Sequence, residues 1–273
     1  MNDQPVENGV QEYHLESWRD FCDLTKDPSK FGPAYIYRGQ TNYDWILNSS
    51  IDRRELRYPK RKTFGGGTLE FYDKPPFNEE KQLNAFKRAI RGRRGLNPPE
   101  LGDDECWALG QHHGLATPLL DWTRSPFVAL FFAFEEEKCF LEGDEWGEPG
   151  FRGVYLLSTH TIKFVPKDDT PAVRVLPTEA DDGNYRAISQ AGLLVRMPRK
   201  SNLESYVTKH FKGEPHVATF IKIKIPNEDR DDCLVALNKM NINYMTLFPD
   251  IGGAAQHVNS LWLPGHEDSL RDV

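Results

Sequence analysis

Apolar positions in this chain follow two spacings. Over 15–26, Leu15, Trp18, Phe21, Cys22 and Leu24 recur on one side of a short amphipathic helix, which Gly32-Pro33 breaks. Leu83, Phe86 and Ile90 predict a helix from Asn78 to about Arg94. Cys106, Trp107 and Leu109 predict another over 103–113, stopped by Gly114. Ser125 as N-cap with Pro126 at the first helical position opens a third helix. Its run from Phe127 to Phe134 is almost entirely apolar, so this helix belongs deep in the core.

Strand patterns dominate the second half, at 152–158, 172–176, 192–197 and 216–225. The last alternates as Phe220-Ile221-Lys222-Ile223-Lys224-Ile225, which predicts an edge or half-exposed strand. Earlier strands are expected at Ala34–Gln40, ending at Gly39, and at Leu119–Trp122. Short helices fit 201–211, 228–240 and 251–262, and 167–185 reads as a loop rich in Asp and Pro. Gly65-Gly66-Gly67 lacks the Lys-Ser sequel of a phosphate-binding loop and reads as a flexible insertion. No repeat or long linker divides the chain. The expected architecture is one α+β domain over 31–262, with a helical N-terminal extension over 1–30 and a tail over 263–273.

Composition adds limits. The chain has 273 residues and a net charge of −7, so bulk charge favours neither nucleic acid nor an anionic membrane. Its basic residues are nevertheless clustered. Arg53, Arg54, Arg57, Lys60, Arg61 and Lys62 stand against Glu55 alone, and Lys87, Arg88, Arg91, Arg93 and Arg94 stand against no acid. Arg53, Arg54, Arg57, Arg91, Arg93 and Arg94 are therefore candidates for contacts to nucleic-acid phosphates. Solvated surface is the alternative. No apolar run reaches the length of a membrane span, and the first residues lack a signal-peptide pattern. Cys22, Cys106, Cys139 and Cys233 lie far apart, as in a reduced cytoplasmic protein. No metal-ligand spacing occurs; His112 and His113 are adjacent, and helix neighbours point about 100° apart.

The densest chemistry lies at Gln111-His112-His113-Gly114 and Asp121-Trp122-Thr123-Arg124-Ser125-Pro126, just before the apolar helix. So many polar groups beside a core element read as the wall of a site, since each costs about 1–3 kcal/mol when buried unpaired. With Tyr37-Arg38-Gly39-Gln40, Trp45-x-Leu47 and Arg53, the sequence resembles the FRG domain, named for its Phe/Tyr-Arg-Gly signature. The resemblance continues through Leu119-Leu120-Asp121-Trp122-Thr123 and Arg186-x-x-x-Gln190-x-Gly192-Leu193-Leu194 to Leu247-Phe248-Pro249-Asp250.

The order of these motifs is also similar to that of ADP-ribosyltransferases. That resemblance implies a split β-sheet core with flanking helices, NAD as substrate and no metal. It further implies an intracellular bacterial toxin or phage-defence effector, with an antitoxin or chaperone as partner. Two positions depart from the pattern: Trp122 replaces a small hydroxyl residue, and Gln190 replaces the usual Glu. Asp121 and Glu179 are alternative acids.

Cleaving the nicotinamide–ribose bond passes through an oxocarbenium-like transition state. In this chemistry Arg38 offers a planar fork to phosphate or ribose oxygens, against a structural ion pair. Thr123 and Gln190 are candidates to hydrogen-bond substrate, Asp121 to orient or polarise, and His113 to move a proton. Tyr37, Gly39, Gln40, Trp122 and Ser125 are further candidates for binding NAD. Aromatic core is the alternative for Tyr37 and Trp122, and simple capping for Ser125. A non-catalytic nucleotide- or nucleic-acid-binding module, or a hydrolase of NAD or another N-glycoside, remains open.

Overall fold

Burial of the two strand faces builds the protein around one large sheet. The computed structural model describes residues 2–27, 30–56, 61–62, 70–71, 77–141, 145–165, 172–177 and 185–261. The first half contains β1 (Asn2–Asp3), β2 (Val10–His14), α1 (Trp18–Lys26), β3 (Tyr35–Gln40), α2 (Ser50–Leu56), β4 (Arg61–Lys62), β5 (Glu70–Phe71), α3 (Glu79–Ala89), α4 (Asp103–His112), β6 (Leu119–Thr123) and α5 (Pro126–Phe134). The second contains β7 (Cys139–Phe140), β8 (Trp146–Gly147), β9 (Phe151–Ser158), β10 (Arg174–Pro177), α6 (Tyr185–Ser189), β11 (Gly192–Arg196), α7 (Leu203–His210), β12 (Phe220–Pro226), α8 (Arg230–Lys239), α9 (Tyr244–Leu247) and α10 (Ile251–Ser260).

Eight strands lie in the order β1-β2-β12-β9-β3-β6-β11-β10, an α+β architecture. All neighbours run antiparallel except β2 and β12, which are parallel. The joint between β3 and β6 rests on the single pair Tyr37 and Thr123. By contrast, β3 pairs with β9 from Tyr35 to Gln40, and β6 with β11 from Leu119 to Thr123. The sheet is therefore continuous but nearly parted at its centre.

Helix α5 crosses β3 so closely that only glycine fits at position 39. A Cβ on Gly39 would stand 1.9 Å from the Ala129 carbonyl oxygen and 2.6 Å from the Ala133 nitrogen. Gly39→Ala is expected to cost about 1–3 kcal/mol or more by overpacking. Urea unfolding measures this, and a midpoint equal to wild type would contradict the contact.

The C-terminal end of α5 is held by two arginines. Arg152, fully buried on β9, donates to the carbonyls of Ala133, Glu136 and Glu137 and to Asn227 Oδ1. Arg230 on α8 donates to the carbonyls of Phe134 and Glu135. Together they satisfy the carbonyls that a helix end leaves unpaired, and their charge suits the negative end of its dipole.

Several expectations change. The N-terminal segment is not helical alone: β2 joins the main sheet beside β12. Strand β12 is consequently interior, not an edge; its half-buried Lys222 is paired with Glu12 and Glu204. Helix α3 ends at Ala89, before the Arg91–Arg94 segment, where Gly92 and Gly95 take positive φ. Strand β3 runs through Gly39 to Gln40. Gly65–Gly67, Glu179 and the expected tail over 263–273 lie outside the described residues. Among the described residues, no helix is long and apolar enough to cross a membrane.

Candidate functional site

Where β3 and β6 diverge, a cleft of about 940 Å³ opens. Its walls include Tyr37, Arg38, Gly39 and Gln40 from β3 and Asp121, Trp122 and Thr123 from β6. Phe132 and Glu135 contribute from the end of α5, His112 from α4, and Arg186, Gln190 and Phe248 from the C-terminal half. Thus Arg38, Thr123, Asp121 and Gln190, from three distant segments, line one space.

Arg38 is the central charge. Its Nη1 donates to the Asp121 backbone carbonyl at 2.6 Å, bridging the gap between β3 and β6. Its Nε is enclosed and has no partner among the described residues. Burial lowers its pKa, the nearby Asp121 charge opposes that, and the Arg53 charge lowers it further. An anion in the cleft would relieve both the desolvation and the repulsion between the two guanidinium groups. Arg53 lines this cleft and, with Arg54, a neighbouring hollow of about 480 Å³. Arg38, Gln111 and Asp121 line both spaces, so the hollow is a side arm of the cleft.

Other candidates are committed to the scaffold. Thr123 is buried; its Oγ1 donates to the Gln190 carbonyl at 2.6 Å and accepts from the Ser125 N–H. Gln190 Nε2 donates to the Leu247 carbonyl at 3.1 Å. Next to it, Ala191 holds φ +46°, a left-handed conformation that turns the chain into β11. Gln40 Nε2 donates to the Trp45 carbonyl and shapes the loop after β3. Gln111 accepts from Thr117 Oγ1 and donates to Asp121 Oδ1 at 2.7 Å, tying α4 to β6.

Some candidates lie elsewhere. Ser125 is the N-cap of α5, accepting from the Val128 N–H, and does not line the cleft. His113 is the C-cap of α4 and does not line the cleft, whereas His112 does. The His112 pKa is lowered, first by burial and then by the His113 and Arg186 charges. Tyr37 and Trp122 are 6% and 3% exposed, so most of each ring is core rather than stacking surface. The exposed rings at the rim are instead Trp45 and Phe140. Arg91, Arg93 and Arg94 follow α3 and line no part of the cleft, and Arg57 lies outside the described residues.

Two further features shape the cleft: an ion pair between motif residues, and Glu135, which the sequence did not single out. Arg186 binds Asp250 through Nε at 2.9 Å and stacks 5.3 Å from the Phe248 ring centre. Asp250 is held below the usual carboxylate range, chiefly by the Gly253 N–H and then by Arg186. Glu135 faces the cleft with its carboxyl pushed up to about 8, mainly by burial and also by Glu136.

These observations define an α+β protein with a cleft at a weakly joined sheet centre, lined by Arg38, Arg53 and Arg186 and by Asp44, Asp121 and Glu135. Residues 33–140 match the model of the FRG domain, so the chain carries that domain there. The match takes in Arg38, Asp121, Thr123 and Glu135, and ends before Arg186, Gln190 and Phe248. No curated protein and no solved structure matches the chain. Among the described residues, no group of three His, Cys, Asp or Glu side chains could hold a metal ion.

Proposed function

We propose that the cleft binds NAD and that the protein is an NAD-dependent ADP-ribosyltransferase with a macromolecular acceptor. The observation that carries this reading is Arg38, whose enclosed Nε has no partner among the described residues and which lies beside a second guanidinium in a cleft large enough for a nucleotide. Arg38 and Arg53 would hold the pyrophosphate. Gln190 Oε1 would accept from a ribose hydroxyl, and Trp45 and Phe140 offer stacking faces to the rings. Thr123 is a positioning residue, because its hydroxyl is spent on the backbone at both ends. The motif order that resembles ADP-ribosyltransferases supports the same reading. So does the near-parting of the sheet at β3 and β6, the counterpart of the split sheet expected from that resemblance.

Arg53 and Arg54, in the side arm, favour a nucleic-acid acceptor, RNA or DNA. By the same resemblance, the protein acts in the cytoplasm as a bacterial toxin or phage-defence effector, with an antitoxin or chaperone restraining it. Incubation with adenine-labelled NAD and total RNA, DNA and protein tests the reading. Label is expected in a nucleic-acid fraction; label in protein alone would overturn the acceptor, and label in none the transfer.

One observation favours a second reading, a nucleotide-binding module without turnover. The side chains of Thr123 and Gln190 both donate to backbone carbonyls, as scaffold residues do. NAD binding without nicotinamide release would support it.

A further inference from the structure

We propose that Glu135 is a catalytic residue of this cleft, whose carboxylate takes the proton from the acceptor hydroxyl or amine as that group attacks NAD. The inference rests on the ADP-ribosyltransferase reading and supplies the base that reading lacks. In the step, the acceptor oxygen or nitrogen bonds to the anomeric carbon. The bond from that carbon to the pyridinium nitrogen breaks, its electron pair staying on the nitrogen. Nicotinamide leaves neutral, and the acceptor proton ends on Glu135.

The geometry points to Glu135 over its neighbours. It lines the cleft shared by Arg38 and Gln190. Its backbone is fixed on both sides: its N–H donates to the Phe131 carbonyl at 2.8 Å, and its carbonyl accepts from Arg230 Nη2 at 2.6 Å. Phe132, Phe140 and Phe248 add apolar surface to the cleft that Glu135 lines. The Tyr244 hydroxyl lies close enough to the Glu135 carboxyl to lower its pKa. Of the other groups that line the cleft, Asp121 Oδ1 is engaged by Gln111 and Gln190 has no basic group, which leaves His112 and Asp44 as the rival proton acceptors.

Burial and Glu136 push the Glu135 carboxyl up to about 8, and Tyr244 pulls it down. A base with a pKa near the working pH balances ionised fraction against basicity. The other charges around it are Arg230 from α8, bound to backbone carbonyls and Asp231, and Arg152 from β9, bound to the carbonyls flanking this residue. Asp44 and Arg186 also line the cleft, Arg186 being paired with Asp250 and stacked on Phe248.

The test is the pH profile of nicotinamide release in the wild type, Glu135→Gln, Tyr244→Phe and Glu136→Gln, with NAD affinity followed by tryptophan fluorescence. Wild-type turnover should rise with pH and level off above about 8. Glu135→Gln should lose about 100-fold at the plateau, lose the rising limb and keep its NAD affinity. Tyr244→Phe should move the limb to higher pH and Glu136→Gln to lower pH, with the plateau intact.

A second readout needs no turnover. A carboxyl raised in the folded state keeps a proton that the unfolded chain has lost. Wild-type stability should therefore fall relative to Glu135→Gln as pH rises from about 5 to about 8. An unchanged limb and rate in Glu135→Gln would overturn the proposal and leave the transferase reading standing. A melting difference that ignores pH would also overturn it. If the wild type binds NAD but releases no nicotinamide, the transferase reading fails and the base assignment falls with it.

Discussion

Arg152→Met is expected to destabilise the protein by about 3–5 kcal/mol, the largest stability effect of any single substitution considered. The side chain is fully buried and donates to three consecutive-turn carbonyls and to Asn227. Burial has already pushed its pKa down to about 10, so the charge sits in an unfavourable medium and is retained by its hydrogen bonds. Methionine fills the space and makes none of them. Each stranded carbonyl then carries a desolvation cost of roughly 1–3 kcal/mol, partly relieved by water. The melting temperature should fall by roughly 10 °C. The consequence reaches the cleft, because the same carbonyls fix the turn that presents Phe132 and Glu135. A loss below about 1 kcal/mol in urea unfolding would show that Arg230 alone suffices to cap α5.

Arg38 should show the opposite balance, a large loss of activity with little loss of stability. Arg38→Lys and Arg38→Ala are both expected to lower kcat/KM for NAD by about 100-fold or more. Lysine keeps the charge but lacks the planar fork that spans Asp121 and a ligand oxygen. Stability should change by about 1 kcal/mol or less, because the lost Asp121 hydrogen bond is offset by relief of burying a charge beside Arg53. A large and equal fall in melting temperature for both variants would assign Arg38 to the scaffold. Retained activity in Arg38→Lys would remove the bidentate role.

Local pattern carried most of the elements. The alternation at Phe220–Ile225 and the apolar run at Phe127–Phe134 gave a strand and a buried helix because each period matches its own backbone geometry. What failed depends on long-range pairing. Nothing in Val10–His14 announces that it will lie parallel to β12, so an edge place for β12 stood beside the half-exposed one, and the alternating burial of the strand fits the second. The polar window supplies Gln111, His112, Asp121, Trp122 and Thr123 to the cleft wall. Choosing between His112 and His113 required the rotation of α4, which one residue shifts by about 100°. Glu135 was hidden because Glu135-Glu136-Glu137 reads as a solvated run, and only the packing of α8 and α9 buries its first member. Arg152 was hidden likewise, as a charge in a strand that the fold encloses on both faces.

The central claim is that this cleft breaks the bond between nicotinamide and ribose. Chromatographic measurement of free nicotinamide over time, with purified full-length protein, NAD and total RNA, tests it most directly. The account predicts steady nicotinamide release by the wild type and almost none by Arg38→Ala of equal melting temperature. Intact NAD in the wild-type reaction, or equal release by both proteins, would contradict it.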